Sequence, residues 1–313
     1  MHHPCIACGH AVEDAFAALL DPKTRTQTPY GRTVRCAACG SHRAHPMPDP
    51  SEVPGFYALE SYYTQGAGHM PHRPATLADR LIGKVAYWLD RGGAPEPGDL
   101  AGGAPGRSLD VGAGGGDLVA ACDAAGFEAW GMDPDPKATC HARFPERTHV
   151  GTAEDPPAGL GGRFDLVSMT HVLEHCVDPR AALGTVRAVL AEGGAFWVEV
   201  PNAACGHFAA FGPHSEMFDA PRHLHHFTPT GLRAALKAAG FTPKRTYYRG
   251  FQRHFGPTWR GWEAALFDAE RAAGSRDLAQ RHDRLASLRL LARTAFARPE
   301  AKYDCVGMIC RAA

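Results

Sequence analysis

One glycine-rich run constrains the fold of this chain more than any other segment. Residues 109–119 read Leu-Asp-Val-Gly-Ala-Gly-Gly-Gly-Asp-Leu-Val. The first three residues predict the end of a buried strand, Gly112, Gly114 and Gly116 predict a tight turn, and the residues after them predict a helix. Such a crossover is typical of nucleotide-binding sites, because a Cβ in the turn would keep a ligand away from the backbone.

Strand and helix signals alternate from Ser108 to the end of the chain. Asp178 and Thr228 are each followed by proline, which predicts helix starts at both positions. We expect these two helices to end at Gly193-Gly194 and just before Gly240. The alternation predicts an α/β fold with a doubly wound, Rossmann-like, seven-stranded and mostly parallel sheet. Its first strand is expected to end at Val111, and the other six to cover 128–132, 148–151, 164–169, 195–200, 242–249 and 303–311.

Composition divides the chain into three predicted parts. Residues 1–73, which contain two Cys-x-x-Cys pairs, are expected to form a zinc-binding segment and an aromatic lid, 74–107 an amphipathic helix and a linker, and 108–313 the main domain. A helical insertion is expected at about 259–297, either as cover for the sheet or as a substrate lid or dimer contact. Helical spacing predicts two shared apolar faces, one with Leu77, Leu81, Val85, Trp88 and Leu89, and one with Leu278, Leu285, Leu288 and Leu291.

Charge and hydropathy exclude several classes of protein. The chain has 33 Lys and Arg against 33 Asp and Glu, which argues against a broad nucleic-acid surface. There is no apolar run of about 18 residues, so no spanning helix or membrane partner is expected. The first residues lack the layout of a signal peptide, which predicts a cytoplasmic protein with reduced cysteines. Six scattered cysteines are expected to be small buried hydrophobes: Cys122, Cys140, Cys176, Cys205, Cys305 and Cys310.

Two Cys-x-x-Cys pairs near the start of the chain predict a metal site. Cys5 and Cys8 are separated from Cys36 and Cys39 by 27 residues. Four thiolates suit a tetrahedral Zn²⁺, and such a closed site has no open position for water, so the zinc is expected to be structural. A redox pair or two unrelated dithiols are the alternatives.

The motifs of residues 108–311 resemble those of class I S-adenosylmethionine-dependent methyltransferases. The matching stretches are Leu109–Gly116, Gly131–Asp133, Gly151–Asp155, Phe164–Val167 with His171–His175, and Leu190–Gly194. The cysteine pairs, Pro201-Asn202 and residues 221–228 resemble small-molecule methyltransferases with an N-terminal zinc-binding segment, which include sugar C-methyltransferases.

The resemblance implies S-adenosylmethionine as cofactor and gives roles to the residues that match. Asp133 follows the second strand of the main sheet, where a carboxylate can accept from both ribose hydroxyls. Asp110 is expected near the ammonium end of the cofactor. The remaining cofactor-binding residues are expected to be Gly112, Gly114 and Gly116 at the methionine portion, Ala153 and Glu154 at the adenine, and Thr170 and His171 on the opposite side.

The methyl acceptor site is expected to contain a histidine base. Methyl transfer requires alignment of the acceptor and, for many acceptors, removal of a proton, which histidine can take near neutral pH. Arg222 is expected to hold an anionic group or to pair with a nearby carboxylate, and Tyr62 and Tyr63 to close over the substrate. The candidate bases are His223 and His226, then His225 and His175, with Glu199, His207 and His214 behind them; a structural hydrogen-bonding role is the alternative for each.

The sequence therefore predicts a zinc-containing enzyme that methylates an oxygen, carbon or nitrogen atom of a small molecule, such as a nucleotide sugar or a natural-product intermediate. One alternative is an RNA or protein methyltransferase that uses the zinc segment for recognition. A cofactor-binding scaffold without catalysis is the other. A homodimer is left open.

Overall fold

The computed structural model describes residues 4–58, 72–100, 106–137, 144–160 and 162–313. The strands among these residues are β1 (Val12–Ala17), β2 (Arg32–Cys36), β3 (His42–Ala44), β4 (Arg107–Val111), β5 (Glu128–Asp133), β6 (Thr148–Val150), β7 (Phe164–Thr170), β8 (Leu190–Pro201), β9 (His225–His226), β10 (Phe241–Arg249) and β11 (Cys305–Ala312). The α-helices are α1 (Leu77–Leu89), α2 (Pro97–Leu100), α3 (Asp117–Ala124), α4 (Pro179–Val189), α5 (Gly206–Phe211), α6 (Pro229–Ala238), α7 (Pro257–Ala272), α8 (Arg284–Thr294) and α9 (Pro299–Lys302).

Seven of the strands form one large sheet, in the order β10-β11-β8-β7-β4-β5-β6. β11 runs antiparallel to both of its neighbours, and the other pairs are parallel. The predicted doubly wound sheet is confirmed. From β4 the chain goes outward to β5 and β6, and it then returns to β7 on the other side of β4. The carboxyl ends of β4 and β7 therefore frame the switch point at which such sheets bind ligands.

Helices cover both faces of the large sheet. Leu183 and Val186 of α4 and Leu232 of α6 pack with one face, and Val119 of α3 packs in a separate core cluster. The two predicted helix starts are confirmed, because the Asp178 carboxylate accepts from the Arg180 amide and the Thr228 hydroxyl accepts from the Gly231 amide. None of the described helices is long and apolar enough to cross a membrane.

The predicted end of α4 at Gly193-Gly194 is wrong. The helix ends at Val189, and β8 begins at Leu190, which pairs with Phe164. The next registered pair joins Ala195 to Leu166, so the glycines form an irregularity inside the strand, with Gly193 at a φ of 71°. Glycine tolerates this left-handed backbone, and for that reason the pair looks like a helix stop in the sequence.

A second, four-stranded antiparallel sheet has the order β1-β2-β3-β9. Its last strand does not come from the first 73 residues, since His225 and His226 pair with Arg43 and His42 of β3. The N-terminal segment is therefore joined by backbone hydrogen bonds to the chain that follows β8.

The predicted apolar stripe of α1 faces away from the core, apart from Leu89, which packs with it. The predicted shared face of Leu278, Leu285, Leu288 and Leu291 is wrong, because Leu278 precedes α8 and Leu291 packs with the core. In α1 the core side carries Ile82 and Ala86, whereas the stripe of Leu77, Leu81, Val85 and Trp88 faces outward. In α8 the core side carries Ala286 and Leu290, whereas Leu285 and Leu288 are exposed. Helical spacing tells which residues share a face, but both helices have apolar residues on two faces, and the spacing does not say which face meets the core.

Candidate active site

The glycine turn lies at the carboxyl end of β4 and presents bare backbone. Gly112, Gly114 and Gly116 have φ values of 77°, 50° and 82°, which disfavour any other residue. A Cβ on Gly112 would collide with Val172, which follows β7. The turn therefore packs closely against the loop after β7 and exposes its backbone at the switch point of the sheet.

Two buried carboxylates border the glycine turn. Asp133 Oδ2 accepts from the Gly114 amide at 2.9 Å, and Oδ1 accepts from the Asp135 amide at 2.9 Å. Burial raises the pKa of Asp133. Burial also raises the pKa of Asp110 to about 7, although the Ser168 hydroxyl donates to it at 2.7 Å. Because a cation would offset the cost of burying these charges, this edge of the sheet suits a positively charged ligand with hydroxyl donors.

The other predicted cofactor residues lie around the same sheet edge. Ala153 is buried in the turn after β6, and Thr170 is half-buried at the end of β7. The Glu154 carboxylate accepts from the Asp178 amide at 2.7 Å, and burial raises its pKa. Glu154 thus holds the start of α4 against this turn.

His171 has an unusual backbone and two carboxylate partners. Its φ is 55°, rare for a residue with a side chain. Nδ1 lies 3.3 Å from Glu174 Oε1, and Nε2 lies 3.1 Å from Glu199 Oε1. Burial opposes a charge on the ring, but the ring's hydrogen bond with the Cys305 sulfur and those that it donates to Glu174 and Glu199 outweigh burial and raise the pKa of His171 well above its usual value. The ring is therefore protonated at neutral pH and does not act as a base in this state.

Arg249 and Cys305 complete this cluster, and the sequence analysis missed both roles. Arg249 forms a bidentate ion pair with Glu199. Burial would raise the pKa of Glu199, but His171 and Arg249 hold it at about 2. Arg249 is the last residue of β10, and Cys305 is the first residue of β11. These antiparallel strands pair the two residues in register, and no local sequence motif predicts that pairing.

A second cluster contains His175, His223 and Glu174. The two rings are 4.7 Å apart between centroids, and one ligand atom of each residue lies within 4.8 Å of those of the other two. The Tyr57 hydroxyl, from the N-terminal segment, lies 2.9 Å from His175 Nδ1. Both histidines are half-buried. Because His175 follows β7 closely, this cluster lies on the same side of the sheet as the glycine turn.

His225 and His226, two other predicted bases, lie in β9 with both faces covered. They are 2% and 3% exposed. Burial lowers the pKa of His225 to about 4 and that of His226 well below its usual value. His226 Nε2 lies 3.0 Å from the Phe218 carbonyl. The structure places both rings inside the small sheet, where an acceptor has no access. His207 and His214 are likewise buried, at 1% exposure each.

Arg222 does not face an open cleft; it belongs to a buried ionic network. Its guanidinium donates to Asp21 at 2.6 and 2.9 Å and to Asp219 at 2.8 and 3.0 Å. Lys23 lies 3.1 Å from Asp219. Of the two roles predicted for Arg222, the structure shows the pairing with nearby carboxylates. These ion pairs join the N-terminal segment to the turn before β9. Tyr62 and Tyr63, the other predicted substrate residues, lie outside the described residues.

Replacing Arg222 with methionine is expected to destabilise the protein by about 3–5 kcal/mol, since Asp21 loses its guanidinium partner and Asp219 is left with Lys23 alone. Urea unfolding would measure this loss. The exposed Arg35, whose pair with Glu13 spans 3.7 Å, offers the control, and Arg35→Met should cost less than about 1 kcal/mol. Equal stability of the two variants would contradict the network.

The four cysteines of the two Cys-x-x-Cys pairs converge. Cys5 Sγ lies 3.7 Å from Cys39 Sγ, and Cys8 Sγ lies 3.5 Å from Cys36 Sγ. All four sulfur atoms lie within 4.8 Å of one another. Cys5, Cys36 and Cys39 also belong to the main core cluster, so this site packs directly on the large domain.

Comparison with known proteins identifies the family of this chain. The family model for a methyltransferase domain matches residues 68–245, more than half of the chain. The ubiquinone biosynthesis O-methyltransferase of Ruegeria sp. is 31% identical over 215 residues, which cover 62% of this chain and 83% of that protein. The enzyme of the same name from Xanthomonas axonopodis pv. citri is 30% identical over 204 residues, which cover 61% of this chain and 80% of that protein.

Among solved structures, the 1,6-didemethyltoxoflavin-N1-methyltransferase of Burkholderia thailandensis, with bound 1,6-didemethyltoxoflavin and S-adenosylhomocysteine, is 18% identical. The match covers 87% of this chain and 96% of that chain, with a TM-score of 0.46. From the family match and the curated relatives, the chain belongs to the methyltransferase-domain family and is an S-adenosylmethionine-dependent methyltransferase.

Proposed function

We propose that this enzyme methylates a hydroxyl oxygen of a small molecule and that the pair of His175 and His223 receives the hydroxyl proton. The observation that carries the proposal is the fixed orientation of both rings. His175 Nδ1 lies 3.0 Å from the Arg222 carbonyl, and His223 Nδ1 lies 2.8 Å from the Met217 carbonyl. A carbonyl only accepts hydrogen bonds, so each Nδ1 carries the proton and each Nε2 of a neutral ring keeps its lone pair.

The pKa of His175 limits its part in this role. Burial, and then the charge of His223, lowers the pKa of His175 to about 4. The ring is therefore neutral at pH 7 but weakly basic, so we assign the proton first to His223 and a hydrogen-bonding role to His175. Glu174 is buried beside it, and its carboxylate would stabilise a proton that arrives on either ring, as an acid does in a catalytic triad.

The cofactor supplies a sulfonium methyl group for an in-line displacement. The chain's own residues fit this ligand. Asp133 would accept from the ribose hydroxyls, the turn at Gly112–Gly116 lets the ligand approach the backbone, and the raised pKa of Asp110 suits a cationic neighbour. The clustered histidines then lie on the acceptor side of the cleft.

Two observations support a small hydroxyl acceptor over RNA or a protein. The curated relatives are named as O-methyltransferases of ubiquinone biosynthesis. The net charge of zero gives no broad attraction to a polyanion. The cytoplasmic location stays a prediction from the sequence.

Transfer of labelled methyl groups from S-adenosylmethionine to a panel of acceptors tests the proposed class. The panel contains phenols and catechols, nucleotide sugars, amines, total RNA and unfolded protein. We expect label on a phenol or another hydroxyl compound. Label only on RNA, on protein, or on carbon or nitrogen atoms would contradict the proposal.

The variant His223→Asn is expected to lower kcat by about 100-fold or more. The asparagine amide can still donate to the Met217 carbonyl, but asparagine has no basic nitrogen to replace Nε2 as a proton acceptor. The Kd for S-adenosylhomocysteine should stay within about twofold, since His223 does not touch the glycine turn. The exposed His72 gives the control, because His72→Asn should leave kcat unchanged. A normal kcat in His223→Asn would exclude this base.

We also propose that the four cysteines hold a structural zinc ion. Four thiolates at about 2.3 Å from a tetrahedral ion are about 3.8 Å from one another. The observed Sγ–Sγ distances of 3.5 and 3.7 Å fit this spacing. With four sulfur ligands the ion has no open position for catalysis, so its role is to hold the small sheet, and through β9 the turn that carries His223.

A further inference from the structure

A stripe of apolar side chains runs along the outward face of α1. Leu77, Leu81, Val85 and Trp88 follow one another at intervals of four, four and three residues, and they are 48–74% exposed. This spacing keeps them on one side of the helix, opposite the side that packs on the core. Within the described part of the chain, nothing covers this apolar stripe.

The outward face of α8 also carries exposed apolar side chains. Leu285 and Leu288 are 53% and 48% exposed. The starts of the two helices are joined, since Arg284 donates to the Asp79 carboxylate at 3.1 Å and to the Thr76 hydroxyl at 2.9 Å. We refer to the exposed apolar residues of α1 and α8 together as the α1–α8 surface.

The exposed charged side chains within α1 and at the leucine face of α8 are basic, whereas the acidic residues at the helix ends, Asp90 and Asp283, accept from backbone amides. On α1 the exposed charged side chains are Arg80 and Lys84, which flank one edge of the stripe. On α8 they include Arg289 and Arg293. The acidic residue within α1, Asp79, is buried and paired with Arg260 at 2.7 Å. An apolar strip with a basic border is typical of helices that lie in the plane of an anionic lipid surface.

A second copy of the chain fits this surface less well. In a two-fold contact through α1, Arg80 and Lys84 would approach the same residues of the other copy, and like charges at an interface are unfavourable. The basic side chains of Arg80 and Lys84 instead favour an anionic partner. The side chain of Trp88, at 71% exposure, suits the boundary between lipid headgroups and acyl chains.

We propose that the α1–α8 surface docks the enzyme on anionic lipid bilayers. The core side of α1 packs on Phe251, Phe255 and Tyr303. Tyr303 is two residues before Cys305, which contacts His171. Docking through this surface therefore brings the lipid close to the acceptor end of the large sheet. The proposal does not depend on which atom the enzyme methylates.

Sedimentation with lipid vesicles tests the proposal. The probes are vesicles of phosphatidylcholine alone and vesicles with about one third phosphatidylglycerol. We expect the full chain to bind the anionic vesicles, to bind neutral vesicles at least tenfold more weakly, and to be released by about 0.5 M salt. Trp88 fluorescence should shift to shorter wavelength on binding.

Two double variants separate the apolar contribution to vesicle binding from the electrostatic one. Leu81→Ser with Trp88→Ser should weaken binding by about tenfold or more, because both side chains lose their insertion into the bilayer. Arg80→Gln with Lys84→Gln should weaken binding on the order of thirtyfold to anionic vesicles only. Val150, 51% exposed on β6 at the far edge of the large sheet, offers the matched control, and Val150→Ser should bind like the wild type.

The proposal is overturned if the protein stays in the supernatant with both vesicles, or if it binds neutral and anionic vesicles equally. Normal vesicle binding by the Leu81→Ser, Trp88→Ser variant would overturn it as well. So would light scattering that shows a dimer which this double variant abolishes, because the surface would then belong to a second copy.

Discussion

Replacing Asp133 with alanine is expected to raise the Kd for S-adenosylmethionine by about 100-fold or more. A carboxylate that accepts from two ribose hydroxyls contributes two charge-assisted hydrogen bonds of about 1.5–3 kcal/mol each. Asp133 also accepts from the Gly114 amide at 2.9 Å, so its loss loosens the glycine turn itself. Isothermal titration calorimetry with S-adenosylhomocysteine would measure the effect.

Two further variants serve as a control and as a conservative comparison for Asp133→Ala. Glu128 lies at the opposite end of β5, and Glu128→Ala should bind the cofactor like the wild type. Asp133→Asn keeps one acceptor oxygen and should give an intermediate Kd. Circular dichroism would show that the alanine variant is folded. Unchanged affinity in a folded Asp133→Ala protein would remove Asp133 from the cofactor site.

Replacing Cys36 and Cys39 with serine is expected to release about one zinc ion per chain and to unfold the small sheet. Structural zinc contributes directly to folding free energy, because its ligands are not preassembled in the unfolded chain. The small sheet includes β9 from the large domain, and Tyr57 and Asp21, elsewhere in the N-terminal segment, contact His175 and Arg222. We therefore expect kcat to fall by about 100-fold while the Kd for S-adenosylhomocysteine changes by less than about threefold.

Cys205→Ser is the matched control for the zinc variant. Cys205 caps α5 by accepting from the Phe208 amide, and serine can cap a helix in the same way. This control should keep its zinc, its kcat and its thermal midpoint within a few degrees. Metal analysis that finds no zinc in the wild-type protein, or full activity in the zinc-ligand variant, would contradict the structural role.

The sheet and the glycine turn could be predicted from the sequence because their signals are local. Gly112, Gly114 and Gly116 need a left-handed backbone, and the strand and helix starts follow short patterns at Asp178 and Thr228. The cysteine pairs are also local, and the structure brings all four together. In each case the chemistry is fixed by residues only a few positions apart.

The acceptor side could not be predicted in the same way, because tertiary packing assembles it from distant segments. His175, His223 and Tyr57 come from three segments, and the register of two antiparallel strands brings Arg249 to Cys305. Three neighbouring residues, His223, His225 and His226, looked alike as candidate bases in the sequence. Only the pairing of β9 with β3 shows that His225 and His226 are buried while His223 lies at the edge.

A crystal structure with S-adenosylhomocysteine bound would locate the cofactor and the acceptor side together. We expect the ribose at Asp133, the ligand along the turn at Gly112–Gly116, and the sulfur atom facing His171, His175 and His223. A ligand whose sulfur faces away from these histidines, or whose ribose lies far from Asp133, would contradict this placement of the cofactor.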